Sequence, residues 1–378
     1  MSELRVIVDQ LVAPVPGGIG RYTAELARGL VDTAPAGWEV TGVVSASPEA
    51  DRARIRSTIP GLARLDTTAL ARRELSLAWS LGLARPHWSG AVHAPSLLAP
   101  IFRSGHRNSP GARLAVTIHD AVPWTHPETL TPHGVRWHRA MARRAERFAD
   151  AIIVDTHAVA RELSAHFEFG DRVRVIGAAV GSDLGLPDDE ESRAAALELP
   201  ERYLLAVGSL EPRKALDQLI RSLADTPDDV PLLVVGAGGW GGVDIGALIA
   251  EAGLAPGRVR TLGRLDDADL AVVLSRASVF VFPSVAEGFG LPVLEAFTLG
   301  TPVVHSDAPA VSEVAGGAGL EVARADPAHY PRRLAEAIRS VLEDPALAER
   351  LTIRGRERVS AYSWRDSAEQ VWRLHSEL

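Results

Sequence analysis

Cysteine is missing from all 378 residues, which removes disulfide frameworks, thiolate metal sites and cysteine nucleophiles together. No run of about 18 apolar residues exists either, so no membrane-spanning helix is expected. The opening stretch MSELRVIVDQLVAP lacks a basic segment followed by an apolar one. No signal peptide is therefore expected, and a cytoplasmic location is. Positive charge is in short supply, and a net charge of −8 argues against general affinity for nucleic acid. The deficit is uneven. Residues 1–190 hold 21 arginines and 21 acids, so it falls wholly in the second half.

What is present is a globular balance, 46% hydrophobic and 23% charged, in a chain long enough for two domains of about 150–200 residues. Short apolar strands alternate with amphipathic helices, the pattern of a doubly wound parallel sheet. LRVIVDQ, EVTGVVSAS, GAVHAPS, RLAVTIHD, AIIVDTHA and RVRVIGAAV form a first series. RYLLAVGS, PLLVVGAG, VRTLGR, SVFVFPS, TPVVHSD and GLEVAR form a second. Between them the acidic PDDEESRAAALELP reads as an interdomain linker, which puts the domains at 1–186 and 187–363. A long helical tail then leads to SWRDSAEQVWRLHSEL, whose helix at about 364–378 is expected to pack back on the first domain. A ligand belongs where the carboxyl ends of the two sheets face each other.

In AEGFGLPVLEAFTLG, Glu287 falls in the loop after a buried strand and Glu295 about one turn into a helix. The backbone amides of Phe289, Gly290 and Leu291 open at that helix N-terminus, where an anion is favoured. An anion with a carboxylate on either side suits a molecule charged in the middle and hydroxylated at both ends, such as a sugar nucleotide. On the residues alone, Glu295 as a first-turn acid favoured by the helix dipole stays open. In VGSLEPRKAL, Arg213 and Lys214 stand just before a helix starting near Ala215, as a diphosphate clamp or a solvated pair. Gly17, Gly18 and Gly20 lie between the first strand and first helix, where backbone can approach a phosphate or simply turn. His119 and Asp120 end a buried strand in VTIHDAVPW. Such a pair should project into the cleft, although a lone histidine is more often structural.

Two signals are set aside. GAGGWGG fits G-x-G-x-x-G through Gly236, Gly238 and Gly241, but no acid ends the next strand to hold an adenosine ribose. Asp267 and Asp269 resemble a metal pair, yet they open a helix that acids favour. Arg264, just upstream, is a candidate neighbour of a nucleotide base. Arg136, Arg139, Arg143 and Arg147 recur at helical spacing on one face. That face is either solvated or held against anionic lipid.

With these motifs in this order, the chain resembles the retaining GT-B glycosyltransferases, in particular the large bacterial family four marked by Glu-x7-Glu, here Glu287 and Glu295. The resemblance covers nearly the whole chain. It implies an α/β GT-B fold, two doubly wound Rossmann-like domains facing a central cleft. It gives Glu287 the hydroxyls of the donor sugar, Glu295 the ribose, His119 the hexose near the reacting carbon, and Asp120 the acceptor side. It gives the Gly17–Gly18 loop to the donor phosphate and acceptor cleft, and Arg213 and Lys214 to the diphosphate. Many members carry arginine directly after the glycine where this chain has Ser209, so Arg213 is expected to take over that role. The GGIGRYT and EPRK pieces look most like bacterial mannosyltransferases of cell-surface polysaccharides, making GDP-mannose the first candidate donor. The implied cofactor is none beyond the nucleoside diphosphate sugar as co-substrate, and no metal. The acceptor would be a glycan, a lipid-linked or a small molecule, with contact at the inner face of the membrane through the four arginines. Two other readings remain, a sugar-nucleotide epimerase on the same fold and a non-catalytic sugar-nucleotide binder. The intact Glu-x7-Glu, His119 and Lys214 set weighs against the binder.

Overall fold

A computed structural model describes residues 2–84, 86, 88, 90–102, 113–239 and 241–378. The chain divides into two compact units. One holds residues 1–125, 132–178 and 363–378, the other 126–131 and 179–362.

The first unit is built on seven parallel strands: β1 Ser2–Ile7, β2 Trp38–Val44, β3 Arg64–Thr67, β4 Ala91–Ala94, β5 Arg113–Thr117, β6 Ala151–Val154 and β7 Val173–Val175. Their order is β3-β2-β1-β4-β5-β6-β7, so the winding reverses between β1 and β4. β4, β5 and β6 are almost wholly buried, as expected of parallel strands covered on both faces. β3 reads Arg-Leu-Asp-Thr and lies half exposed at the sheet edge. The terminal helix Trp364–Glu377 packs along the helix Gly17–Asp32. A Cβ on Gly29 would stand 3.0 Å from the Trp364 carbonyl, and the Trp372 indole N–H donates to Leu30 O at 3.1 Å.

The second unit has six parallel strands: β8 Leu204–Val207, β9 Leu232–Val235, β10 Val259–Gly263, β11 Val279–Phe282, β12 Val303–Ser306 and β13 Leu320–Val322. The order β10-β9-β8-β11-β12-β13 reverses between β8 and β11. β11 is Val-Phe-Val-Phe, each residue at most 1% exposed. Burying such side chains stabilises by about 1.5–3 kcal/mol apiece, and this strand anchors the loop that follows it.

Three sequence readings change. The acidic stretch read as a linker contains a helix, Glu190–Ala196, inside the second unit. Arg193 pins it to Asp269 at 2.7 Å, which a linker would not need. The long helical tail is two helices, Tyr330–Glu343 and Pro345–Val359. Pro345 cannot continue the first, and Asp344 caps the second by accepting from Ala346 and Leu347 N–H. Gly17, Gly18 and Gly20 form the first turn of the Gly17–Asp32 helix rather than a loop before it. Space is open at Gly17 and Gly18, whereas a Cβ on Gly20 would meet Pro16 Cβ at 2.4 Å.

Candidate active site

In an open α/β sheet, the loops on either side of the reversal point diverge and leave a crevice at the carboxyl edge. In the second unit those loops follow β8 and β11. The first carries Ser209, Glu211, Arg213 and Lys214, and the second carries Glu287. They meet. Arg213 Nη1 donates to Glu287 Oε2 at 2.6 Å, and Lys214 Nζ donates to Glu287 Oε1 at 2.6 Å. Arg213 also donates from Nε to Glu211 Oε2 at 3.2 Å and from Nη1 to the Ala286 carbonyl at 3.2 Å. Glu211 in turn accepts the Ser209 hydroxyl.

Glu287 is only 8% exposed in its side chain. Burial alone would push its carboxyl pKa up, but Arg213 and Lys214 outweigh that and hold it down at about 2. Burial pulls the Lys214 ammonium below its usual range, against the opposing pull of Glu287. The Lys214 stem crosses Gly208 so closely that a Cβ there would stand 3.2 Å from Lys214 Cε, and Nζ lies 5.1 Å from the Phe282 ring centroid. Lys214 is the only lysine in the chain.

Pro283 follows β11, and the loop runs to Gly290, at φ +102° the residue that turns the chain into the helix Leu291–Thr298. That conformation suits glycine because a Cβ would be strained there. Pro292 occupies the first helical turn, where its missing N–H costs nothing. Glu295 sits inside this helix and is 2% exposed. Phe289 is buried with its ring edge-on to Tyr362 at 5.5 Å, so its backbone rather than its side chain fronts the loop. Arg264 is exposed beyond β10, at the edge of the sheet. Three strand spacings, about 14 Å, separate β10, which Arg264 follows, from β11, which precedes the Glu287 loop.

The first unit fixes His119. It follows β5, with β4 on one side and β6 on the other. Its Nε2 meets the Pro95 carbonyl beyond β4 at 2.7 Å, and its Nδ1 meets Asp155 Oδ2 beyond β6 at 2.7 Å. Both partners accept, so with Asp155 ionised the ring donates from both nitrogens as an imidazolium. Burial would lower its pKa, but the Asp155 carboxylate overrides this and raises it. Tyr22 stands edge-on to the ring at 4.7 Å. Both ring nitrogens of His119, the residue the resemblance places near a hexose, are thus engaged within the unit. Asp120 is half-buried, accepts from Val122 N–H at 3.0 Å and lines a cavity of about 850 Å³ with His119.

On the helix Pro132–Phe148, Arg136, Arg143 and Arg147 are exposed. Arg139 is not part of that face, since its guanidinium turns inward to the Pro123 carbonyl at 2.9 Å. Met141 is buried, while Trp137 and Phe148 are half-buried. The helix Asp267–Arg276 is capped by Asp266, which accepts from Asp269 N–H at 2.8 Å. Among the described residues no group of three or more histidines and acids could hold a metal ion.

Two site residues were missed in the sequence. Asp155 carried the same signal as His119, a polar side chain directly after a buried strand. Glu211 carried none, because only the fold shows that it is 4% exposed and holds Ser209 and Arg213.

Comparison with known proteins matches residues 188–358 to the family "Glycosyl transferases group 1" and residues 16–183 to "Glycosyltransferase Family 4". The O-antigen chain mannosyltransferase B of Escherichia coli is 31% identical over 306 residues, 78% of this chain and 75% of that one. This chain belongs to the group 1 glycosyltransferases. A phosphatidyl-myo-inositol mannosyltransferase of Mycobacterium leprae is 36% identical over 169 residues, 44% of this chain and 43% of its own length. Among solved structures, sucrose-phosphate synthase from Thermosynechococcus elongatus superposes with a TM-score of 0.75 at 24% identity, covering 100% of this chain and 99% of that one. Anabaena HepE in complex with UDP and glucose gives 0.77 at 19% identity, with both chains covered in full. The architecture is GT-B, two parallel-sheet Rossmann-like domains. The group 1 chain is a glycosyltransferase.

Proposed function

We propose that this glycosyltransferase moves a hexose, mannose as first candidate, from a nucleoside diphosphate sugar to a hydroxyl acceptor with retention at the anomeric carbon. The observation that carries the reading is Glu287, held by Arg213 and Lys214 at the reversal point of the second sheet. With no donor bound, the carboxylate neutralises both cations. A bound diphosphate takes over as their partner and frees Glu287 to accept hydrogen bonds from sugar hydroxyls. In the transfer, the bond from the anomeric carbon to the diphosphate oxygen breaks and a bond to the acceptor oxygen forms on the same face. The acceptor proton passes to the departing phosphate. Arg213 and Lys214 stabilise the negative charge that develops there, the electrostatic contribution that usually dominates. His119, with both ring nitrogens already engaged by Asp155 and the Pro95 carbonyl, is given no role as a general base. Mannose is favoured by the mannosyltransferase relatives, and Glu295 is assigned to the ribose.

Lys214→Ala is expected to weaken binding of GDP or UDP by about 1.5–3 kcal/mol, the scale of a charge-assisted hydrogen bond. Isothermal calorimetry showing parental affinity would remove Lys214 from the phosphate site. Because fixed cations meet the diphosphate, transfer is expected to proceed undiminished in EDTA, and strict dependence on added Mg²⁺ or Mn²⁺ would contradict this.

Among the described residues no helix is long and apolar enough to cross a membrane. The exposed arginines support peripheral contact instead, each contributing about 1 kcal/mol on anionic lipid. The protein is expected to sediment with anionic liposomes at low salt, and the Arg136→Ser, Arg143→Ser, Arg147→Ser triple variant to stay in solution. Equal recovery of the parent with anionic and neutral liposomes would leave the arginines a solvated face.

A further inference from the structure

Two aspartates are buried in the first unit among the described residues, and they are used differently. Asp9 accepts the Ser45 N–H at 2.7 Å and holds Arg72. Asp155, with its side chain 4% exposed, meets His119 Nδ1 through Oδ2 at 2.7 Å. Its other oxygen, Oδ1, is buried without a hydrogen-bond partner. A buried carboxylate is costly unless its charge is met, and here the histidine meets it.

The ring is wedged in one orientation. β4, β5 and β6 lie side by side, and Pro95, His119 and Asp155 come from the loops that follow them. His119 bridges the outer two loops, with Nε2 2.7 Å from the Pro95 carbonyl. Tyr22, on the helix Gly17–Asp32, stands edge-on to the ring at 4.7 Å and is itself backed by Trp364 at 5.4 Å.

A carbonyl only accepts, so Nε2 carries a proton when it bonds Pro95. A neutral imidazole has a single N–H, so the bond to Asp155 needs a second proton, either on the ring or on the carboxyl. The charges around the ring favour the ring. Asp155 and Asp120 act on it, both negative. Tyr22 remains a neutral phenol, because burial and then the Asp155 charge push its pKa up. Burial also pushes the Asp155 carboxyl up, and the ring's charge pulls it back. An ordinary aspartic acid moreover gives up its proton about 2.6 pH units before a histidine does.

We propose that Asp155 is a positioning residue for the transfer: through this ion pair it keeps His119 doubly protonated and fixed in direction, so that the ring enters the reaction as a standing cation and hydrogen-bond donor. Pro95 holds the Nε2 proton until a substrate oxygen competes for it. The inference rests on the transferase reading and adds to it a carboxylate that acts only through its neighbour. A residue that merely tied the loops together would need the two bonds and not the charge. Asparagine separates these roles. In Asp155→Asn the amide NH2 can donate to Nδ1 while Nε2–H still reaches Pro95, which completes the bridge around a neutral ring.

The test compares the parent with Asp155→Asn in turnover of GDP-mannose and UDP-glucose, with water standing in for the acceptor and release of the nucleoside diphosphate as the signal. Melting temperatures should stay close. At about pH 7.5 the variant should turn over its donor about tenfold more slowly, the difference between a charged and a neutral hydrogen bond. The charged ring is the active form. The variant's rate should therefore recover as pH falls through the ordinary histidine range near 6.5, while the parent keeps its rate to higher pH. Nitrogen NMR on histidine-labelled protein reads the same charge without substrate, with His119→Gln assigning the ring. At about pH 7.5 the parent ring should be doubly protonated and the variant's singly. A singly protonated ring in the parent, which needs no variant to observe, would overturn the proposal. So would equal rates and pH profiles in a folded Asp155→Asn. Failure of the parent to bind GDP or UDP would strike the transferase reading, whereas donor turnover indifferent to Asp155→Asn would strike this inference alone.

Discussion

Glu287→Ala is expected to destabilise the unliganded protein by about 3–5 kcal/mol, the cost of removing one partner from a buried ion cluster. In the parent, one carboxylate satisfies Arg213 and Lys214 at 2.6 Å each. Without it two neighbouring cations repel, in a site where burial already disfavours the lysine's charge. A nucleoside diphosphate supplies the missing counter-charge, so GDP or UDP should raise the melting temperature of the variant more than that of the parent. Transfer should fall roughly 100-fold or more, since the same carboxylate is proposed to hold the sugar. Glu295→Ala should do the reverse, losing affinity for bare nucleotide through the ribose. Thermal melts with and without nucleotide decide it. A Glu287→Ala protein as stable as the parent, or one that gains less from nucleotide, would mean the cluster does not exchange its anion.

Stability should fall steeply as pH drops from 6.5 toward 4, because two histidines are buried uncharged in the first unit. His93 on β4 is fully buried and His375 on the terminal helix is 6% exposed, with His375 Nε2 3.4 Å from His93 Nδ1. Burial lowers His93 well below its usual value and lowers His375 to about 4. The unfolded chain binds protons near pH 6.5 that the folded one refuses. The stabilisation is therefore complete above 6.5 and is lost as pH falls through the folded pKa. For His375 alone the loss approaches about 3 kcal/mol by pH 4. His119 runs the other way. Its raised pKa adds stability below 6.5 that disappears as pH rises through the folded value. Glu287, held at about 2, adds stability above 4.5 that is lost only at lower pH. Urea melts between pH 7.5 and 4.5 should show a loss that His375→Leu markedly reduces, and an unchanged slope in that variant would take the effect away from this pair.

Strands were legible in the sequence wherever they were apolar. Twelve of the thirteen strands among the described residues correspond to runs such as SVFVFPS and RLAVTIHD, because a parallel strand covered on both faces has no polar positions to spare. β3 was not, since a half-exposed edge strand with arginine and aspartate in four residues has no such run. The helix Arg72–Leu81 also went unread, and with it one wall of the cavity in the first unit. The candidate site was legible as separate pieces. That Glu287 would close on Lys214, 73 residues earlier, follows from the sheet reversing between β8 and β11, which no local pattern announces.

The solitary lysine turns the site into its own reporter. Apart from the chain's α-amino group, Lys214 is the only amine that an acylating reagent can modify. It does so only when the ammonium gives up its proton and its hold on Glu287. A single mass increment on the intact protein therefore counts molecules whose cluster has opened. Protection by a nucleotide sugar would read occupancy directly, with no acceptor, label or engineered probe required.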